Sequence, residues 1–125
     1  MPPKTKNIPE HLRELLPLSP AVFFVMFALA DGEKHGYAIM QEVLTLSENR
    51  VRMGAGTLYT TIQRLLNMTI IEETPGSGNV SDHEARRRYY RLAPNGKILL
   101  EAEISRMESV VRRARRKKLT PRTAE

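Results

Sequence analysis

Thr57, Tyr59, Thr60, Gln63 and Arg64 lie within one stretch of eight residues that contains no acidic side chain. On a helix turning about 100° per residue, Tyr59, Thr60, Gln63 and Arg64 gather with Gly56 and Asn67 opposite Leu58, Ile62 and Leu65. Thr57 stands at the margin of that face. Polar helix faces ordinarily mix both signs of charge, so a neutral and basic face is unusual. It can approach phosphates without repulsion. Gln63 and Arg64 have the reach and the donors for base edges, and threonine methyls can contact thymine. Gly54 and Gly56 keep the helix start narrow, and its N–H groups and dipole suit a phosphate. The plainer reading is an ordinary amphipathic helix, and the missing acids weigh against it.

A second group follows in Arg86, Arg87 and Arg88, directly before Tyr89-Tyr90-Arg91. Alternate residues of a strand share a face, so one tyrosine is expected on the core and the other at the surface. A loop ending in arginines fits a wing that lies on a nucleic-acid backbone or enters a minor groove. Asp82, His83 and Glu84 dilute the loop's charge and leave the arginine end as the contacting part. A lone charge run is often just a solvated face. Beside the acid-free helix that reading loses weight.

Other chemistries lack their residues. The chain has no cysteine, which removes disulfides, thiolate catalysis and cysteine-ligated zinc. His11, His35 and His83 are far apart and lack metal-ligand spacing. Glu72 and Glu73 are neighbours in an expected strand, point to opposite faces and cannot act as a pair. Gly76-Ser77-Gly78 is not a phosphate loop, because no helix pattern follows it. No enzyme activity, cofactor or metal is expected. The longest apolar run, Ala21 to Ala30, is about half of the roughly 20 residues a membrane span needs. It follows Lys4, Lys6, Arg13 and Glu14, a poor arrangement for an export signal. A cytoplasmic protein without a membrane partner is expected. Its 125 residues suit one domain, and its net charge of +6 points to an anionic partner.

Elements that would position these groups can be read along the chain. Residues 1–17, with four prolines, are expected as an N-terminal arm with at most a helical turn at Glu10 to Leu16. Ser19-Pro20 starts a first helix with a hydroxyl cap and a proline in its first turn. Its AVFFVMFALA has no polar face and must be covered on all sides, which hints at a second subunit. Asp31-Gly32 ends it. A second helix runs from His35-Gly36 to about Ser47, and a third from Thr57 to about Met68. Thr69 to Glu73 and Arg88 to Leu92 read as strands. Pro94 opens a last helix to about Lys118, with Leu100, Ile104, Met107 and Val111 at spacings that suit a partner helix. The order helix, strand, basic loop, strand is that of a winged helix-turn-helix. The expected class is α+β and mostly helical, with that domain at 18–93, a C-terminal dimerisation helix at 94–118 and a disordered tail at 119–125. An alternative is a winged-helix protein-interaction module with no DNA target. The run Arg112 to Lys118 reads either as a solvated helix end or as a second DNA contact.

Four segments resemble the PadR family of bacterial transcriptional regulators in its short form. They are ALADGEKHGYAIMQEV with His35-Gly36-Tyr37, GAGTLYTTIQRLL, the Ile70-Ile71-Glu72-Glu73 strand, and RRRYYRLAPNGK. The likeness covers about Leu18 to Arg113. It implies a homodimer in which the last helix packs on the first helix of the other subunit. Phe23, Phe24, Phe27, Leu100, Ile104, Met107 and Val111 are the interface residues expected. It implies recognition-helix positions for Thr57, Tyr59, Thr60, Gln63 and Arg64, and a wing at about Pro75 to Arg88. His35 and Tyr37 would sit near the DNA backbone, although capping or packing explains His35 as well. Family members are mostly repressors, some released by phenolic acids, drugs or other small ligands. Double-stranded DNA with an inverted repeat and a small-molecule effector are therefore the expected partners. Two positions depart from the family. Thr69 stands where a left-handed glycine closes the third helix, so either the turn differs or the helix frays. Ala93 stands where threonine caps the last helix. The chain also lacks the tryptophans between which some relatives hold planar drugs.

Overall fold

The computed structural model describes residues 8–75 and 88–119. Arg86 and Arg87, the body of the expected wing and all of the tail but Leu119 lie outside the described residues.

The chain before Ser19 contributes to the core. A single turn, α1 (Glu10–Arg13), sends Leu12 inward, and Ile8 is buried beside it. So short a helix shows no periodicity, which is why these side chains looked like part of an arm. The Ser19 hydroxyl then accepts the Val22 N–H at 3.3 Å and caps α2 (Pro20–Ala28), whose Val25, Met26 and Ala28 are buried.

A two-residue strand, β1 (Lys34–His35), comes next and has no counterpart in the sequence reading. Two residues are too few to show alternation. It pairs with β3 (Tyr89–Leu92), which also pairs with β2 (Ile71–Thr74), giving an antiparallel sheet in the order β1-β3-β2. The helix-turn-helix is α3 (Gly36–Leu46) followed by α4 (Ala55–Asn67). α3 buries Ile39 and Val43, and α4 buries Leu58, Thr61, Ile62 and Leu65. Between them Glu48 and Asn49 take left-handed conformations, and the Ser47 hydroxyl accepts the Val51 N–H at 2.9 Å.

The strand expected from Thr69 starts later, because Thr69 closes α4. It adopts φ of +56°. Its N–H donates to the Leu66 carbonyl at 3.0 Å, and the Ile70 N–H donates to the Leu65 carbonyl at 2.9 Å. This pair of bonds is the one a glycine usually makes after a helix. The expectation of a changed turn or a fraying helix is therefore corrected: threonine holds the same turn.

The last helix, α5 (Pro94–Arg116), starts from Ala93 with no side-chain cap. Gly96 lies against the backbone carbonyl of Ile70, where a Cβ would collide. Leu99, Leu100, Ala102 and Glu103 are buried, and no later residue of the helix is. Glu103, 1% exposed, accepts the Leu18 N–H at 2.8 Å and the Arg106 Nε–H at 2.6 Å. The first of these bonds ties the chain before α2 to α5.

A left-handed threonine carries a conformational cost that glycine avoids. Thr69→Gly is expected to stabilise the fold by about 1 kcal/mol, seen as a higher denaturant midpoint at an unchanged slope.

Candidate nucleic-acid interface

α4 presents the face expected of it. Thr57, Tyr59, Thr60, Gln63, Arg64 and Asn67 are all exposed, while Leu58, Ile62 and Leu65 are buried. Gln63 Nε2 donates to Asn67 Oδ1 at 3.2 Å, which orients both amides on the outer surface. Arg64 also borders a cavity of about 140 Å³ with Leu15, Leu18, Leu65 and Leu99. The chain before α2 therefore meets the end of the exposed face. Thr61, absent from the sequence reading, turns inward and donates its hydroxyl to the Thr57 carbonyl at 2.9 Å.

The two most characteristic motifs meet in space. Gly36, the first residue of α3, is buried, and the phenol end of Tyr59 fills the place a Cβ would occupy. A Cβ there would push the flexible end of the tyrosine aside. His35 Nδ1 accepts the Ala38 N–H at 3.3 Å and caps α3, and its ring stands edge-on to Tyr89 at 5.5 Å. An accepting Nδ1 places the proton of the neutral ring on Nε2. Tyr37, beside it, is exposed.

Of the paired tyrosines, Tyr90 is buried and Tyr89 half-buried, the division expected of a strand with one face on the core. Burial raises the Tyr90 pKa above its ordinary 10.0, the charges of Glu73 and Tyr59 add to the shift, and Arg88 opposes it. Arg91 donates to Glu72 at 2.7 Å across the strands, and Arg88 lies 3.8 Å from Glu73. Glu72 and Glu73 thus serve separate arginines. Both Arg88 and Glu73 are open to solvent, and a pair of that kind holds the arginine weakly.

The residues expected at a subunit interface divide. Phe23 and Leu100, 7% and 6% exposed, are already buried within one chain. Phe24 and Met107 are half-buried. Phe27 and Ile104, 37% and 36% exposed, border an apolar groove of about 320 Å³, and Val110 and Val111 lie open further along α5. Val110 and Glu103 escaped the sequence reading. The signal for Glu103 was an acid set between Leu100 and Met107, on the side of the helix where apolar residues recur.

Among the described residues, no group of three or more His, Cys, Asp or Glu side chains could hold a metal ion. Among the same residues, no helix is long and apolar enough to cross a membrane.

A helix-turn-helix flanked by a small antiparallel sheet, with an acid-free outer helix face, defines a winged-helix DNA-binding protein. The model of the Transcriptional regulator PadR-like family matches residues 25–102. The chain belongs to that family and is a DNA-binding transcriptional regulator. It is 33% identical over 76 residues to an uncharacterized protein X from Lysinibacillus sphaericus, covering 61% of this chain and 67% of that protein. A PadR family transcription regulator from Clostridium difficile shares the fold with a TM-score of 0.63 at 20% identity, over 78% of this chain and 97% of its own. BpsR of Bordetella bronchiseptica, whose DNA binding is regulated by 6-hydroxynicotinic acid, aligns with a TM-score of 0.57 at 19% identity, over 86% of this chain and 69% of its own.

Two outcomes follow from this geometry. Gly36→Ala displaces the Tyr59 ring and is expected to weaken binding to duplex DNA about five- to tenfold. In a Tyr59→Ala background the same change should alter affinity less than about twofold, a coupling that a double-mutant cycle measures by fluorescence anisotropy. The raised Tyr90 pKa favours the fold while the phenol is protonated. Its contribution is complete below about pH 10 and is lost as pH rises through the folded value. Tyr90→Phe should flatten the alkaline fall in the urea midpoint.

Proposed function

We propose that the protein acts as a homodimeric repressor that binds an inverted-repeat operator. The observation that carries this reading is the exposed, acid-free face of α4. Gln63 and Arg64 contact base edges in the major groove, and Thr57, Tyr59 and Thr60 set the helix against bases and backbone. His35 and Tyr37 lie at the backbone from the start of α3. Arg86, Arg87 and Arg88 supply the wing. The open apolar strip of Phe27, Ile104, Val110 and Val111 supports dimerisation, because one chain leaves it uncovered. A small aromatic effector fits the groove beside Phe27 and Ile104, closed by the second subunit, and releases the operator. The regulation of BpsR by 6-hydroxynicotinic acid supports that mode of control. The protein acts where the chromosome lies and catalyses no reaction.

Selection from a random duplex pool should yield an inverted repeat whose half-sites lie about 34–36 Å apart, one helical turn. Arg64→Ala should reduce the preference for the selected site by about 1–3 kcal/mol while random duplex binds nearly as before. Equal affinity of the wild type for selected and random duplexes would falsify the repressor reading. Capture of an apolar peptide in place of DNA would favour an interaction module.

A further inference from the structure

α5 runs as helix to Arg116, well past its last buried residue, Glu103. Its end is closed by its own turn: Lys118 is left-handed, and the Leu119 N–H donates to the Ala114 carbonyl at 2.9 Å. Arg112, Arg113, Arg115, Arg116, Lys117 and Lys118 are all exposed there. Among the described residues none of the six forms an ion pair. They are six of the 20 Lys and Arg residues, so the remaining 14 face 14 acids and the rest of the chain is neutral. The entire excess of +6 therefore sits on this helix end.

The helix itself does not call for so many charges. One or two cations in the last turn complement the dipole. Beyond that, Arg112 neighbours Arg115 and Arg116, and Arg113 neighbours Arg116 and Lys117, at spacings where like charges repel. A second copy of the run brought close would add to the repulsion. An anionic partner relieves it, and the polyanion this protein handles is DNA. The stretch from 112 to 118 spans roughly 9 Å. Duplex DNA carries a charge every 1.7 Å or so, so this length meets several phosphates.

We propose that the basic end of α5 is a second DNA contact, made to the phosphate backbone irrespective of sequence. It rests on the reading of α4 as the recognition helix and divides the labour with it. α4 discriminates between sequences, and the end of α5 raises affinity for any duplex through counterion release.

The test compares the wild type with a variant carrying Arg112→Gln, Arg113→Gln, Arg115→Gln and Arg116→Gln. Glutamine keeps the helix propensity, which circular dichroism checks. Affinities for the selected operator and a random duplex are measured between about 50 and 200 mM salt. The plot of log K against log salt should be shallower by about 2–3, since each lost phosphate contact removes about 0.9. Affinity for both duplexes should drop by about tenfold or more at the low-salt end, with their ratio unchanged. The corresponding four Arg→Lys changes should restore the slope. Arg64→Ala is the opposite control, lowering the ratio with a slope change of about 1 or less. A quadruple variant with wild-type slope and affinity overturns the proposal and leaves a solvated helix end, with the α4 reading intact. The same holds if only binding to phosphatidylserine vesicles is lost. No duplex binding by the wild type overturns both.

Discussion

Three parts of the molecule meet at the backbone of Ile70. Its N–H completes the turn that ends α4, and its carbonyl accepts the Ala93 N–H at 3.0 Å just before α5. Gly96, one turn into α5, rests against that same carbonyl. α4, the sheet and the last helix are therefore fixed to one another through a single buried residue. Any rotation of α4 relative to the sheet must break hydrogen bonds that have no water to replace them. The left-handed Thr69 persists because this junction over-determines it. Its hydroxyl bonds to the Met68 carbonyl at 2.6 Å and, at 3.5 Å, accepts from Asn95 at the start of α5.

A second tie joins the opposite side. The buried Glu103 carboxylate holds Leu18 to α5 while Ile8 and Leu12 enter the core. A carboxylate in so dry a place requires hydrogen bonds, and Leu18 and Arg106 give each of its oxygens one donor. Leu15 and Leu18 border the cavity beneath Arg64, so this segment braces the C-terminal half of α4. The outer face of α4 remains free for contact because the supports of the helix approach from behind.

Charge is distributed unequally over these parts. Around the sheet, acids and arginines are matched: Glu72 with Arg91, Glu73 with Arg88. On α4 the acids are missing, and at the end of α5 cations stand without counterions among the described residues. In a fold with a neutral remainder, location rather than total charge decides where a phosphate backbone is attracted.

Helix types, their order and the faces of α4 were legible in the sequence, because each depends on short-range periodicity and local caps. Leu58, Ile62 and Leu65 against Tyr59, Thr60, Gln63 and Arg64 is a pattern that a helix makes by itself. Ser19-Pro20 likewise marks a helix start whatever surrounds it. Four features were decided only by tertiary structure. β1 exists because β3 offers it an edge, not because two residues favour a strand. The place of Tyr59 over Gly36 is set by the approach of another helix. Phe23 and Leu100 belong to the core of one chain, although their apolar stripes looked the same as those of Phe27 and Ile104. Thr69 keeps a glycine's conformation because Ile70 is held by contacts distant in sequence. Periodicity states which side of an element is apolar. Only the packed fold decides which neighbour covers it.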